Sequence, residues 1–188
     1  MLVDRLLRQG AMTELVGPLS SGRTSVLTLC LRAVTRRGAF AALVDVDHAF
    51  DPGSAAAAGV ELSRVLWVRG EGRRHDALKA VDLLARCPGF ALVALDVGES
   101  PPRVPLDAAF RLRQAARRSG VALLVIGARR VVGGAAALSV QTRRDRLAWV
   151  GPGPMPRRLA GMRTGLHVVR KQGAPWPVAE TECLWWTA

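Results

Sequence analysis

The sequence predicts an α/β fold with a mostly parallel central sheet and a short antiparallel extension at its C-terminal end. Two observations lead there. Five short, almost wholly apolar runs alternate with helix-length segments, as parallel strands joined by crossover helices require. After about residue 132 the pattern gives way to glycine- and proline-rich pieces with two short strand-like runs. At 188 residues and 49% hydrophobic content the chain can bury one sizeable core. A single domain over 1–188 is expected: a short N-terminal segment (1–12), a core (13–130) and a basic C-terminal part (131–188).

The strands are expected at Thr13–Val16, Ala39–Asp47, Arg64–Gly70, Phe90–Val97 and Val121–Ala128, each apolar enough for a sheet covered on both faces. Between them, Thr24–Arg37 and His75–Arg86 have helical composition. So does "PLDAAFRLRQAARRSG", with Pro105 suited to a first helical position, Asp107 in its first turn and a stop at Gly120. Leu166–Gln172 and Glu182–Trp186 read as short terminal strands.

Between the first strand and the first long helix lies "ELVGPLSSGRTSVL", which fits G-x-x-x-x-G-[K/R]-T at Gly17, Gly22, Arg23 and Thr24. Strand, glycine-rich turn and helix is the context in which backbone N–H groups cradle phosphates, and Ser21 and Ser25 flank the turn. Such loops carry lysine as a compact charge for the terminal phosphates. Arginine is bulkier and planar, so it is not a conservative replacement in so tight a loop. Only Lys79 and Lys171 among the 27 basic residues are lysine, so part of the arginine richness reflects a chain-wide preference. A working phosphate loop should resist that preference, and Arg23 is read as a sign of lost or weakened nucleotide chemistry.

The net charge of +12 is unevenly placed: residues 1–100 carry 12 basic and 11 acidic side chains, residues 101–188 carry 15 and 4. A one-sided basic surface favours polyanions or acidic protein partners. Arg129, Arg130, Arg143 and Arg144 are candidate partner or nucleic-acid contacts, and Trp185 and Trp186 are candidate anchors, of which strand alternation should turn one inward. The arginines of "RLRQAARRSG" read as the solvated side of an amphipathic helix. Cys30, Cys87 and Cys183 are odd in number and lack ligand spacing, and His48, His75 and His167 lie apart, so neither a disulfide framework nor a metal site is expected. No run is long and apolar enough for a signal peptide or a bilayer span, which points to a cytoplasmic protein.

The segments "ELVGPLSSGRTSVL", "ALVDVDHAFDPGSAAAAGVELSRVLWVRG", "FALVALDV" and "RTGLHVVRKQGAP" together resemble the ATP-binding core of the bacterial recombinase RecA, in order and over most of the chain. "DHAFDP" is the most specific piece. The resemblance implies a RecA-like three-layer sandwich. Within that superfamily the chain is most similar to the short, degenerate ImuA group, implicated in SOS-induced translesion synthesis and mutagenesis beside ImuB and an error-prone DNA polymerase.

Carried over position by position, the resemblance also marks departures. The phosphate-loop lysine falls on Arg23 and the magnesium-binding hydroxyl on Thr24. The glutamate that activates water falls on Asp47, about one methylene short, where general-base geometry tolerates little displacement. The Walker B aspartate falls on Asp96. Asp51 matches an adenine-contacting position, while the aromatic that should stack on the base has become Ser54. The glutamine that senses the γ-phosphate would fall near Gly127 or Ala128 and is absent. Where the recombinase carries its DNA-gripping loops there are only "VGESPPRV" after Asp96 and almost nothing between "GARRVVGG" and "AAALSV", and the N-terminal arm that docks protomers is reduced to at most "MLVDRLLRQGAM".

Three functions stay open at this point. A non-catalytic adaptor in DNA-damage mutagenesis is favoured by the coordinated decay of the ATP site, with ImuB, the polymerase and RecA as implied partners and no required cofactor. A weak ATPase using ATP and magnesium is favoured by Gly17, Gly22, Thr24 and Asp96. A non-specific DNA-binding module, with weak binding expected, is favoured by the charge asymmetry.

Overall fold

The computed structural model describes residues 2–70, 73–99, 103–152, 158–173 and 181–187, with side chains described for 4–70, 73–99, 103–152 and 158–173. One eight-stranded sheet runs through it in the order β3-β2-β4-β5-β1-β6-β7-β8. The strands are β1 (Met12–Val16), β2 (Phe40–Asp45), β3 (Val65–Arg69), β4 (Phe90–Asp96), β5 (Ala122–Gly127), β6 (Leu138–Val150), β7 (Arg158–Lys171) and β8 (Thr181–Thr187). Every pairing from β3 across to β6 is parallel. β6 with β7, and β7 with β8, are antiparallel. The helices are α1 (Leu2–Leu6), α2 (Arg23–Thr35), α3 (Pro52–Ala57), α4 (Arg74–Arg86) and α5 (Leu106–Ser119).

Side-chain alternation sorts the apolar runs into two cores, one on each face of the sheet. Leu15, Leu43, Leu92, Ala94, Leu124 and Ile126 pack with Val26, Leu27, Leu31 and Val34 of α2, and with Leu6 and Leu7 at the N-terminus. Their sequence neighbours Val44, Val93, Leu95, Leu123 and Val125 pack with Val81 and Ala85 of α4 and with Ala109, Leu112 and Ala116 of α5. Helices on both faces of the sheet make three layers. α5 ends on Gly120, whose φ of 79° is left-handed and whose N–H donates to Ala116 O, the usual role of glycine at such a stop.

The expected strands and long helices stand within about two residues of their reading, the normal uncertainty of helix and strand ends. The edge strand β3 departs from the both-faces-covered pattern, since each of its residues is half-buried or exposed and none is fully buried. α3 was not anticipated, because six residues of Pro, Gly, Ser and Ala carry no apolar periodicity. The largest difference lies after residue 132. In place of loops and short strands, β6 runs for 13 residues and β7 for 14, paired from Leu138↔Lys171 out to Val150↔Arg158. β1 pairs with β6 only as far as Gln141, so the rest of β6 and its partner in β7 extend past β1 as a basic arm. Among the described residues no helix is long and apolar enough to cross a membrane.

Candidate functional site

The turn after β1 is held by packing as much as by sequence. Gly17 N donates to Gly127 O at 3.2 Å, and a side chain at Gly17 would collide with the hydroxyls of Thr142 and Ser21. Those two hydroxyls share a hydrogen bond at 2.6 Å, and Thr142 Oγ1 also donates to Val16 O at 3.2 Å. Gly22 caps α2 at a φ of 93°, and a Cβ there would run into Thr164 of β7. Both glycines are therefore demanded by the hairpin that lies against the loop. Ser20 takes a left-handed φ of 58°, an uncommon conformation for a residue with a side chain.

Arg23, the first residue of α2, is 7% exposed. Its guanidinium turns back into its own loop: Nη1 donates to Gly17 O at 2.5 Å, and Nη2 forms an ion pair with Glu99. Burial lowers its pKa, opposed by the charge of Asp96. Asp96 ends β4, buried, and accepts the Gly98 N–H at 2.9 Å. Burial raises its pKa; the Gly98 hydrogen bond and Arg23 work against that, while Asp45 and Asp47 add to it.

Leu19, Ser20, Gly22, Arg23, Thr24, Ser25, Asp47, Ala49, Asp96, Gly98, Glu99 and Met162 surround one cavity of about 230 Å³. It falls below the roughly 300–1,000 Å³ of ordinary small-molecule pockets. Asp47 is exposed at its rim and accepts from Glu99 N at 3.3 Å. Ser21, by contrast, is buried under Thr142 and does not line the cavity.

Asp51 lies outside the cavity. It caps α3, accepting from Gly53 N at 3.3 Å and Ser54 N at 2.9 Å, and the Ser54 bonds hold its carboxyl below the usual carboxylate range. Arg130 Nε lies 3.4 Å from Glu14 Oε2, while Arg129 is exposed in the same turn. Arg143 and Arg144 are exposed on the arm, opposite Gly165 and Thr164. Trp185 and Trp186 are in β8, with backbones opposite Arg163 and Met162; their side chains, and which of them turns inward, lie outside the described residues.

Three residues of this region were not picked out from the sequence. Glu99 joins the site only because the chain leaving β4 folds over Arg23, and Met162 and Thr142 arrive from the distant hairpin. None sits in a local motif. Asp45 and Glu14 are buried carboxylates that no sequence motif marks. Asp45 accepts from Ala49 N at 3.1 Å, Phe50 N at 2.9 Å and Trp67 Nε1 at 3.3 Å. Glu14 accepts from Val131 N at 2.5 Å, Val132 N at 3.0 Å and Ser139 Oγ at 3.3 Å. Among the described residues no three His, Cys, Asp or Glu side chains come together as a metal would require.

Comparison with known proteins agrees with this architecture. Proteins named RecA from Nostoc punctiforme, Borrelia hermsii and Prochlorococcus marinus are 38%, 33% and 38% identical to it over 102, 100 and 100 residues. Those alignments cover 54%, 53% and 53% of this chain but only 28%, 28% and 27% of the relatives, so the match spans little more than a quarter of their length. The RecA N-terminal domain family matches residues 6–126, from the end of α1 to β5. The chain belongs to the RecA N-terminal domain family.

Proposed function

We propose that this chain is a non-catalytic RecA-like accessory protein of DNA repair, of the ImuA kind, acting in SOS-induced translesion synthesis and mutagenesis. It works through protein contacts with ImuB and the error-prone polymerase, and by capping RecA filaments. The observation that carries the reading is Arg23. A phosphate loop binds its ligand by presenting N–H groups and one mobile cation to open space. Here the cation is a planar guanidinium folded onto the loop's own carbonyl and paired with Glu99. The shortened base Asp47 and the lack of a polar sensor at Gly127 or Ala128 point the same way.

The adaptor half of the reading rests on the sheet edge. β3 ends the sheet with no neighbour beyond it among the described residues, and its Leu66 and the Phe40 of adjoining β2 are 46% and 49% exposed. An open, partly apolar edge is a template for another chain. Leu6 and Leu7, in contrast, are buried in the chain's own core. A protomer that accepts a neighbour on its core while holding its N-terminal segment to itself ends a head-to-tail assembly. A second reading, a scaffold that binds ImuB through "LWWTA", is favoured by the position of β8 as the other outermost strand.

Thermal melts with and without Mg-ATP, together with titration into a RecA strand-exchange reaction, test this. The expected result is no nucleotide-dependent rise in Tm, although a site ligand at a hundred times its Kd would add about 2.7 kcal/mol, and a loss of strand exchange as the protein is added. A Tm that climbs with ATP, with turnover abolished by Arg23→Ala, overturns the non-catalytic reading. No effect on strand exchange, with ImuB binding retained and then lost on truncation after Glu182, replaces the cap by the scaffold.

A further inference from the structure

A second cavity, of about 260 Å³, opens on the α4/α5 face of the sheet, away from the phosphate loop. Its floor is apolar: Val46, Leu95 and Val97 at the carboxyl ends of β2 and β4, with Ala77 and Leu78 of α4 and Val104 before α5. The crevice outside the carboxyl ends of parallel strands is where open α/β sheets receive ligands. Its remaining lining is Arg74, His75, Arg103 and Pro105, with no carboxylate among the described lining residues. Arg74 Nε is buried there without a hydrogen-bond partner. The cavity also lies between the first turns of α4 and α5, where Asp76 and Asp107 offset the positive helix ends, so that Arg74 and Arg103 supply the charge of the lining.

The surface beside the opening is unusually apolar for a charged helix. Leu106, next to Pro105, is 66% exposed, and Phe110 one turn on is 44% exposed with the Arg113 guanidinium over its ring at 5.9 Å. A cavity of this volume takes one large side chain and is too small for a cofactor. An apolar socket flanked by exposed apolar residues and rimmed by arginine is the arrangement of an interface hot spot. Its charge selects a partner of the opposite sign.

We propose that this cavity anchors a single apolar side chain of an acidic segment of a partner protein, with Arg74 and Arg103 meeting the flanking carboxylates. The surface is independent of the phosphate-loop reading, since an ATP-hydrolysing version of the chain would carry the same cavity.

The test is fluorescence anisotropy of a labelled, amidated peptide, Ser-Glu-Glu-Leu-Phe-Glu-Glu-Ser, against the full chain at about 0.15 M salt. Saturable binding is expected, weakened about tenfold or more by Arg103→Glu and by Val104→Trp, which fills the socket. Arg163→Glu, the same charge change on the exposed arm, should leave it nearly unaltered. Arg103 is exposed, so Arg103→Glu keeps the proposal falsifiable if Val104→Trp fails to fold, and melting curves report on folding of each variant. The proposal is overturned if no saturation occurs or if a peptide with serine in place of Leu and Phe binds equally. Equal damage from Arg163→Glu also overturns it. Oligothymidylate binding that falls with both socket variants as the peptide's does would assign the cavity to nucleic acid instead.

Discussion

Arg23 and Glu99 form an ion pair over the phosphate loop, and the same guanidinium donates to Gly17 O at 2.5 Å within it. The loop's own side chain thus competes for the space that a phosphate would enter. ATP turnover by the purified chain is expected below about 0.01 s⁻¹, roughly three orders under the median enzyme. Arg23→Lys alone should not restore it if the proposed reading holds, in which Asp47 is a shortened base and no polar side chain stands at Gly127 or Ala128. A steady-state phosphate-release assay on both proteins checks this, and a lysine variant with ordinary turnover would refute the account.

Asp96 carries a pKa raised mainly by burial, from a reference of 3.8. A carboxyl whose folded pKa lies above its unfolded value favours the fold while protonated. That contribution is complete below the unfolded pKa and is lost as pH rises through the folded one. Asp96→Asn, which keeps an oxygen to accept the Gly98 N–H, should therefore melt higher than the parent at pH 7 to 8. The gap should close as pH falls toward 3.8. A variant that melts lower at pH 7 to 8 and level with the parent near 3.8 would show that attraction of the carboxylate to Arg23 outweighs burial.

Glu14 is 1% exposed and gathers Val131 N–H, Val132 N–H, the Ser139 hydroxyl and Arg130. Glu14→Ala strands two buried amides and should cost about 3 kcal/mol. For a chain of this size that lowers Tm by roughly 6–12 °C. Differential scanning calorimetry measures it, and a change under about 1 kcal/mol would mean that water replaces the carboxylate.

For DNA, weak binding without sequence preference is expected, with Kd in the range of about 1–100 µM at physiological salt. The arm presents Arg143, Arg144 and Arg146 exposed, with Trp149, 49% exposed, as one aromatic surface for stacking. Reversing Arg143 and Arg144 to glutamate should flatten the slope of log K against log salt by about 1.4, at 0.7 per phosphate for a single strand. Tight binding that persists in high salt would contradict this.

The five central strands were readable because each is buried on both sides except at the edge, which leaves runs such as "ALLVIG" with no polar interruption. β6 and β7 were not, since past Thr142 the arm leaves the core and its arginines read as loop. At the site, motif spacing located Gly22, Arg23 and Thr24 and the RecA resemblance added Asp47 and Asp96; all five line one cavity. Asp51 came from the same resemblance but turns to cap α3. The partner that captures Arg23 was invisible, because Glu99 is placed by the fold of the β4 exit and not by distance along the chain.

The place of β1 in the sheet has a consequence for synthesis on the ribosome. Among the described strands it is made first, yet its neighbours are β5 and β6: Met12 lies beside Leu123, 111 positions later. At the roughly 5–20 residues per second of translation, about 6–22 s pass before that neighbour exists. Throughout that interval the apolar strand Met12–Val16 has no sheet to enter, and α2 has no completed face to cover. Collapse is far faster than that interval, so until the fifth strand emerges the nascent chain can bury Met12–Val16 only against neighbours it will not keep.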